Sequence, residues 1–112
     1  MNEFQLQVES SGEWLILRLT GEASADHLEP LRRQFHELIS QEPTGVVFDL
    51  SHLTFISSVT LGLLIEFRHD LRTAGSELRL AGASPRITKI FQETRLAEIF
   101  PMYDTPDHAI DA

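Results

Sequence analysis

Asp49-Leu50-Ser51-His52-Leu53-Thr54-Phe55-Ile56-Ser57-Ser58-Val59-Thr60-Leu61-Gly62 is the stretch on which the fold of this chain turns. Its start overlaps a nearly unbroken apolar run, Val46-Val47-Phe48-Asp49-Leu50, which follows Thr44-Gly45 and suits a central strand buried on both faces. Its end passes into helical spacing from about Ser58 to Thr73. There Leu64, Phe67 and Leu71 share one face with Leu61 and Leu63 flanking, and Ala74-Gly75 supplies the stop. Between strand and helix the sequence predicts a loop, in which the hydroxyl residues Thr54, Ser57, Ser58 and Thr60 straddle the helix start. Free backbone N–H groups and the positive end of the helix dipole collect at such a position. One serine, Ser57 or Ser58, serves as N-cap and contributes about 1 kcal/mol. The other is left free to react or to touch a partner.

Upstream, Phe4 to Glu9 and Trp14 to Leu19 alternate apolar and polar residues with period two, and Ser10-Ser11-Gly12 reads as the turn of an N-terminal hairpin. Trp14 reads as packing. After Thr20-Gly21 the spacing becomes helical through Leu28, Leu31, Phe35, Leu38 and Ile39, with Ser24 or Asp26 as N-cap and an end before Pro43. Downstream, Glu77 to Leu80 reads as a strand, and Ser84-Pro85 opens a helix through Ile87, Ile90 and Phe91. A short strand around Ile99 to Tyr103 and a turn from about Pro106 follow. The predicted order is β-β-α-β-α-β-α-β-α over 1–112. This describes a single α/β domain: a mixed four- to five-stranded sheet with helices packed on it and right-handed crossovers.

Composition narrows the function. A chain of 112 residues fits one domain. Its 42% apolar and 23% charged residues are those of an ordinary soluble globule. Nine basic against 17 acidic residues give a net charge of -8, which repels a phosphate backbone and argues against direct nucleic-acid binding. With no cysteine, disulfides, thiolate chemistry and Cys-type zinc sites are excluded. Met1-Asn2-Glu3-Phe4 lacks the basic start and apolar stretch of a signal peptide, and no segment approaches the roughly 18 apolar residues of a spanning helix. A cytoplasmic location without membrane insertion is the expectation. His27, His36, His52, His69 and His108 are scattered and show no metal-ligand spacing. No Gly-x-Ser-x-Gly elbow accompanies Ser58, and no glycine-rich phosphate cradle is present. The expectation is a binding protein with no enzymatic activity, cofactor or metal.

Loops at the carboxyl ends of the central strands are where partners usually meet a sheet of this kind. Two stand out: Thr20-Gly21-Glu22-Ala23-Ser24, and the quoted stretch itself. The candidate contact residues are Glu22, Ser24, Asp26, Thr54, Ser57, Ser58, Val59, Gly62 and Glu66. Gly62 costs about 1 kcal/mol inside a helix relative to alanine, and projects with Val59, Glu66 and His69 away from the Leu64-Phe67-Leu71 face. It either packs closely against a neighbouring loop or lets a partner approach. Glu22 is either a solvated turn residue or a contact.

The quoted stretch resembles the signature of STAS domains, the fold of bacterial anti-sigma factor antagonists, and Leu19-Thr20-Gly21-Glu22 is similar to the family's strand-end Leu-x-Gly-Glu. The resemblance spans essentially the whole chain. It implies partner switching in transcription regulation. An antagonist binds an anti-sigma factor that is also a serine kinase, is phosphorylated at the start of this helix, and lets go; a phosphatase is a further partner. By motif position the phosphorylated residue is Ser58, with Ser57 as the alternative, and the protein is a monomer or weak dimer. Ser57 stands where the family usually has aspartate. Val59 and Thr60 replace a hydroxyl and a glycine, and Ser24 replaces an acidic residue for which Asp26 is a nearby substitute. The alternative function is a STAS scaffold subunit of a membrane transporter complex or sensory assembly with no phosphorylation cycle.

Overall fold

The computed structural model describes residues 4–112; Met1, Asn2 and Glu3, read above for a leader, lie outside the described residues. The chain folds as β1 (Gln5–Ser11), β2 (Trp14–Ala23), α1 (Leu28–Ser40), β3 (Gly45–Ile56), α2 (Ser58–Thr73), β4 (Glu77–Ala81), α3 (Pro85–Glu93), β5 (Met102–Tyr103) and α4 (Pro106–Asp111). The element order is the expected one. The strands lie β1-β2-β3-β4-β5 in one five-stranded sheet. β1 is antiparallel to β2, and the remaining pairs are parallel.

Helices α1, α2 and α3 cover one face. Leu17, Leu19, Phe48 and Leu50 from the central strands meet Phe35, Leu64, Phe67 and Phe91 in the main core. Phe35, Phe48 and Phe67 stack on one another, with ring centroids 4.1 Å apart for Phe35–Phe67 and 5.5 Å for Phe35–Phe48. Such contacts add about 0.5–1.5 kcal/mol per pair beyond burial. On the opposite face α4 covers only Ile16, Val47 and Ala81, through Ala109 and Ile110. Trp14 packs at the margin of this patch, its ring beneath the Arg79 guanidinium at 4.7 Å. It lies so close over Gly45 that a side chain there would collide with the indole.

Three local expectations are corrected. The hairpin turn is Gly12-Glu13, because β1 runs on through Ser10 and Ser11 to pair Ser11 with Trp14; Gly12 supplies the left-handed φ of +63° that the turn needs. Both predicted site loops are largely strand: β2 continues to Ala23 and β3 to Ile56, pairing Thr20 with His52, Gly21 with Leu53, Glu22 with Phe55 and Ala23 with Ile56. Register shifts between Arg18 and Thr20 and between Gly21 and Glu22 break the period-two alternation by which a strand is recognised. Gly21, at φ +88°, sits in the irregular segment. Finally, α1 begins at Leu28, after a 3-10 turn over Ala25–His27. Neither Ser24 nor Asp26 caps it: the N-cap position belongs to His27, with no side-chain cap bond.

Candidate partner-binding site

The start of α2 is fastened to the end of β2 by one carbonyl. Ala23 O accepts the Ser57 N–H at 3.0 Å and the Thr60 hydroxyl, also at 3.0 Å. Ser57 is the N-cap, with extended backbone at φ -80°, ψ 159°, and its Oγ accepts the Thr60 N–H at 3.2 Å. Because the Thr60 proton is committed to Ala23 O, the 2.8 Å contact between the two hydroxyls has Ser57 Oγ donating to Thr60 Oγ1. Thr60 is only 1% exposed. Its hydroxyl is therefore a structural part of the helix start.

Ser58 differs from both neighbours. It occupies the first helical position, is exposed, and its hydroxyl makes no hydrogen bond among the described residues. The residue pair that the sequence leaves as alternatives is thus divided into a cap, Ser57, and a free hydroxyl, Ser58. No acidic residue lies in the first turn of α2, so its positive end is not neutralised by a side chain of its own.

Around Ser58 the surface is apolar and bare. Val59 is 53% and Phe55 38% exposed, high values for large apolar side chains. Gly62 is exposed, and a Cβ built there would meet nothing within 4 Å. The close-packing account of Gly62 is thereby excluded. Glu66, one turn further along, is exposed and sits 3.5 Å from Arg32 of α1. Glu22 is exposed at the end of β2, in register with Phe55. Asp26 is exposed on the 3-10 turn, while Ser24 is half-buried with its Oγ 3.2 Å from His27 Nδ1. Thr54 lines a separate hollow of about 480 Å3 with Thr20, Ser51, His52, Leu53, Ser84 and Arg86, beside the start of α3. Phe55 is the contact candidate that pattern reading passes over. Its signal is a large aromatic directly after Thr54 in a segment that the sequence assigns to a loop.

Just below the site, Asp49 is buried on the sheet face opposite the main core. It accepts the Ser51 hydroxyl at 2.6 Å, the Ser51 N–H at 3.1 Å and Arg18 Nε at 2.9 Å. Burial alone would push its carboxyl upward, but the Ser51 and Arg18 hydrogen bonds together outweigh it and hold the pKa below the ordinary carboxylate value. The Asp49 and Glu9 hydrogen bonds in turn raise the Arg18 guanidinium. Gly82, at φ +73°, passes close to Ser51 and Asp49. These bonds fix the part of β3 that leads into the site.

Among the described residues no group of His, Asp and Glu is arranged to hold a metal ion, no helix is long and apolar enough to cross a membrane, and no histidine hydrogen-bonds Ser58. The arrangement presents an exposed hydroxyl beside the apolar Phe55 and Val59. The STAS domain family model matches residues 5–109. This chain belongs to the STAS domain family. The STAS fold here is similar to an anti-sigma factor antagonist from Mycobacterium paratuberculosis, with a TM-score of 0.88 at 23% identity, covering 97% of this chain and 92% of that one. The anti-sigma F factor antagonist of Paenibacillus polymyxa is 26% identical over 107 residues, 95% of this chain and 92% of that relative. The anti-sigma factor antagonist SpoIIAA is 28% identical in each of two solved forms. The unphosphorylated form has a TM-score of 0.81 and covers 97% of this STAS domain and 94% of that chain. The phosphorylated form has a TM-score of 0.73 and covers 97% of each.

Proposed function

We propose that this STAS domain is an anti-sigma factor antagonist: it binds an anti-sigma factor that is a serine kinase, and phosphorylation of Ser58 releases it. The observation that carries the assignment to Ser58 is its unengaged, exposed hydroxyl beside the committed hydroxyls of Ser57 and Thr60. The relatives named as anti-sigma factor antagonists, one of them solved in a phosphorylated form, support the wider reading. In the transfer, Ser58 Oγ takes the γ-phosphoryl group of ATP, ADP departs, and the serine proton passes to a base of the kinase.

The phosphate adds about -1.5 to -2 charges at the start of α2, where the dipole favours it by about 0.3–1 kcal/mol and the fold tolerates it. The same charge is unfavourable for binding, since it must be desolvated when a partner covers Val59, Phe55 and Gly62. Release therefore comes from charge and bulk at the contact surface, without refolding.

The test is incubation with the cognate kinase and ATP, followed by mass spectrometry and amide NMR. Ser58 is the expected modified residue, with shifts confined to the neighbourhood of Glu22 and of Phe55 to Gly62, and Ser58→Asp weakens binding. Modification of Ser57 instead, or shifts throughout the sheet, overturns the switch; an unmodified Ser58 with every cognate kinase supports a scaffold subunit.

A further inference from the structure

We infer that the free edge of β1 pairs with β1 of a second copy of this chain, antiparallel and centred on Val8, to form a weak symmetric dimer with one sheet running through both copies. β1 is the outermost strand, bonded to β2 alone among the described residues. Every residue of it is exposed except Leu6, which is half-buried. An open edge presents unpaired N–H and C=O groups, and monomeric proteins commonly blunt it with brevity, proline, lysine, a bulge or a covering element. Among the described residues β1 has none of these. It is seven residues long, Gln-Leu-Gln-Val-Glu-Ser-Ser, and pairs with β2 without a register shift from Gln5 to Ser11. Its one charge, Glu9, is held by Arg18 at 3.0 Å on the face away from the main core. The other edge of the sheet, β5, is protected by being two residues long.

The hairpin sets the register. Its two-residue turn closes on Ser11 and Trp14, so Ser11, Glu9, Gln7 and Gln5 direct their backbone groups to β2, and Ser10, Val8 and Leu6 direct theirs outward. A two-fold axis at Val8 places Val8 opposite Val8, Leu6 opposite Ser10 and Gln7 opposite Glu9. All outward groups are then paired, in about six inter-chain hydrogen bonds, and no like charges face one another. Moving the axis one residue to Glu9 sets carboxylate against carboxylate and leaves outward groups only at Val8 and Ser10 to pair, in about four bonds instead of six. In the Val8 register the Val8 side chain, 40% exposed in the single chain, packs against its copy. A single strand edge buries much less than the roughly 1,600 Å2 of a standard interface, which is why the dimer is weak. The axis runs through the sheet, so the two α2 starts point to opposite ends of the dimer and each Ser58 stays accessible.

The absence of native cysteine makes the register directly testable. In a hydrogen-bonded antiparallel pair the Cα atoms stand about 5.5 Å apart, inside the range a disulfide spans. Val8→Cys is expected to give a covalent dimer under mild oxidation. Ser10→Cys, whose opposite residue is Leu6, is expected to remain largely monomeric. Sedimentation equilibrium of the unmodified chain should show concentration-dependent dimer, and Val8→Lys should weaken it about fivefold through lost Val8–Val8 packing and like charges at the axis. A chain that stays monomeric to about 1 mM, equal cross-linking of the two cysteine variants, or a Val8→Lys variant that dimerises undiminished overturns the proposal. An edge reserved for the strand of a different protein would produce the first of these results.

Discussion

Replacing Thr60 by valine removes one oxygen and its proton while keeping the shape of the side chain, and so tests whether the start of α2 is held as described. Two contacts are lost: the buried bond to Ala23 O at 3.0 Å and the bond from Ser57 Oγ at 2.8 Å. Neither former partner is stranded. Ala23 O keeps the Ser57 N–H, and Ser57 Oγ still accepts the backbone N–H of residue 60. The cost is then the net value of about two neutral hydrogen bonds, about 1–2 kcal/mol in total, without the larger penalty of an orphaned group. For a domain of this size that lowers the melting temperature by about 5–10 °C. Ser57→Ala, which removes the cap, should cost about 1 kcal/mol. Because the hydroxyl–hydroxyl bond is shared, the double variant should lose less than the sum by about 0.5 kcal/mol or more. Urea unfolding of the four proteins measures all three quantities. A Thr60→Val variant within about 0.3 kcal/mol of the parent, or strict additivity, refutes the shared network.

Two further outcomes follow from the scaffold. Since the folded-state pKa of Asp49 lies below its unfolded value near 3.9, its ionised form stabilises the fold fully above that value, and the contribution is lost as pH falls through the folded pKa. Asp49→Asn should therefore cost about 2 kcal/mol at pH 7, moderated by the partial solvation of Arg18, and the gap to the parent should close in acid below about pH 4. Chemical denaturation from pH 7 to pH 2 checks this, and a pH-independent gap contradicts it. Gly62→Ala should stabilise the chain by about 0.5–1 kcal/mol, because the added methyl meets nothing; if the same variant loses affinity for the proposed anti-sigma factor partner while its melting temperature rises, the bare surface at Gly62 is the contact itself.

The boundaries of α2 and the Ser84-Pro85 start of α3 were legible because their signals are local: helical spacing, a serine cap and a proline at the first position. The far halves of β2 and β3 were not, because their pairing is tertiary. Leu53 and Ile56 are buried against residues remote in sequence, while polar Ser51, His52 and Thr54 and two register shifts hide the strand period. The same holds at the site. A free hydroxyl at the helix start can be read from two adjacent serines, but the division of labour depends on Ala23, a residue with no functional side chain, whose carbonyl lies over Ser57 and Thr60 only in the folded sheet. Ser24 and Asp26 failed as caps for a related reason: a 3-10 turn that propensity does not foretell displaces the helix by one turn.

Under the proposed function, the two hydrogen bonds accepted by the Ala23 carbonyl bear on how fast a partner is recognised. With the end of β2 and the first turn of α2 tied to one atom, Glu22, Phe55, Val59 and the Ser58 hydroxyl form a surface whose parts do not need to find one another after encounter. Little ordering entropy is then spent on binding, and an incoming protein meets a finished template at a rate set by diffusion and orientation. Under the proposed function, a phosphate added to such a template would change mainly how long the complex lasts, so that a change at one residue would act as a timer on an otherwise unaltered encounter.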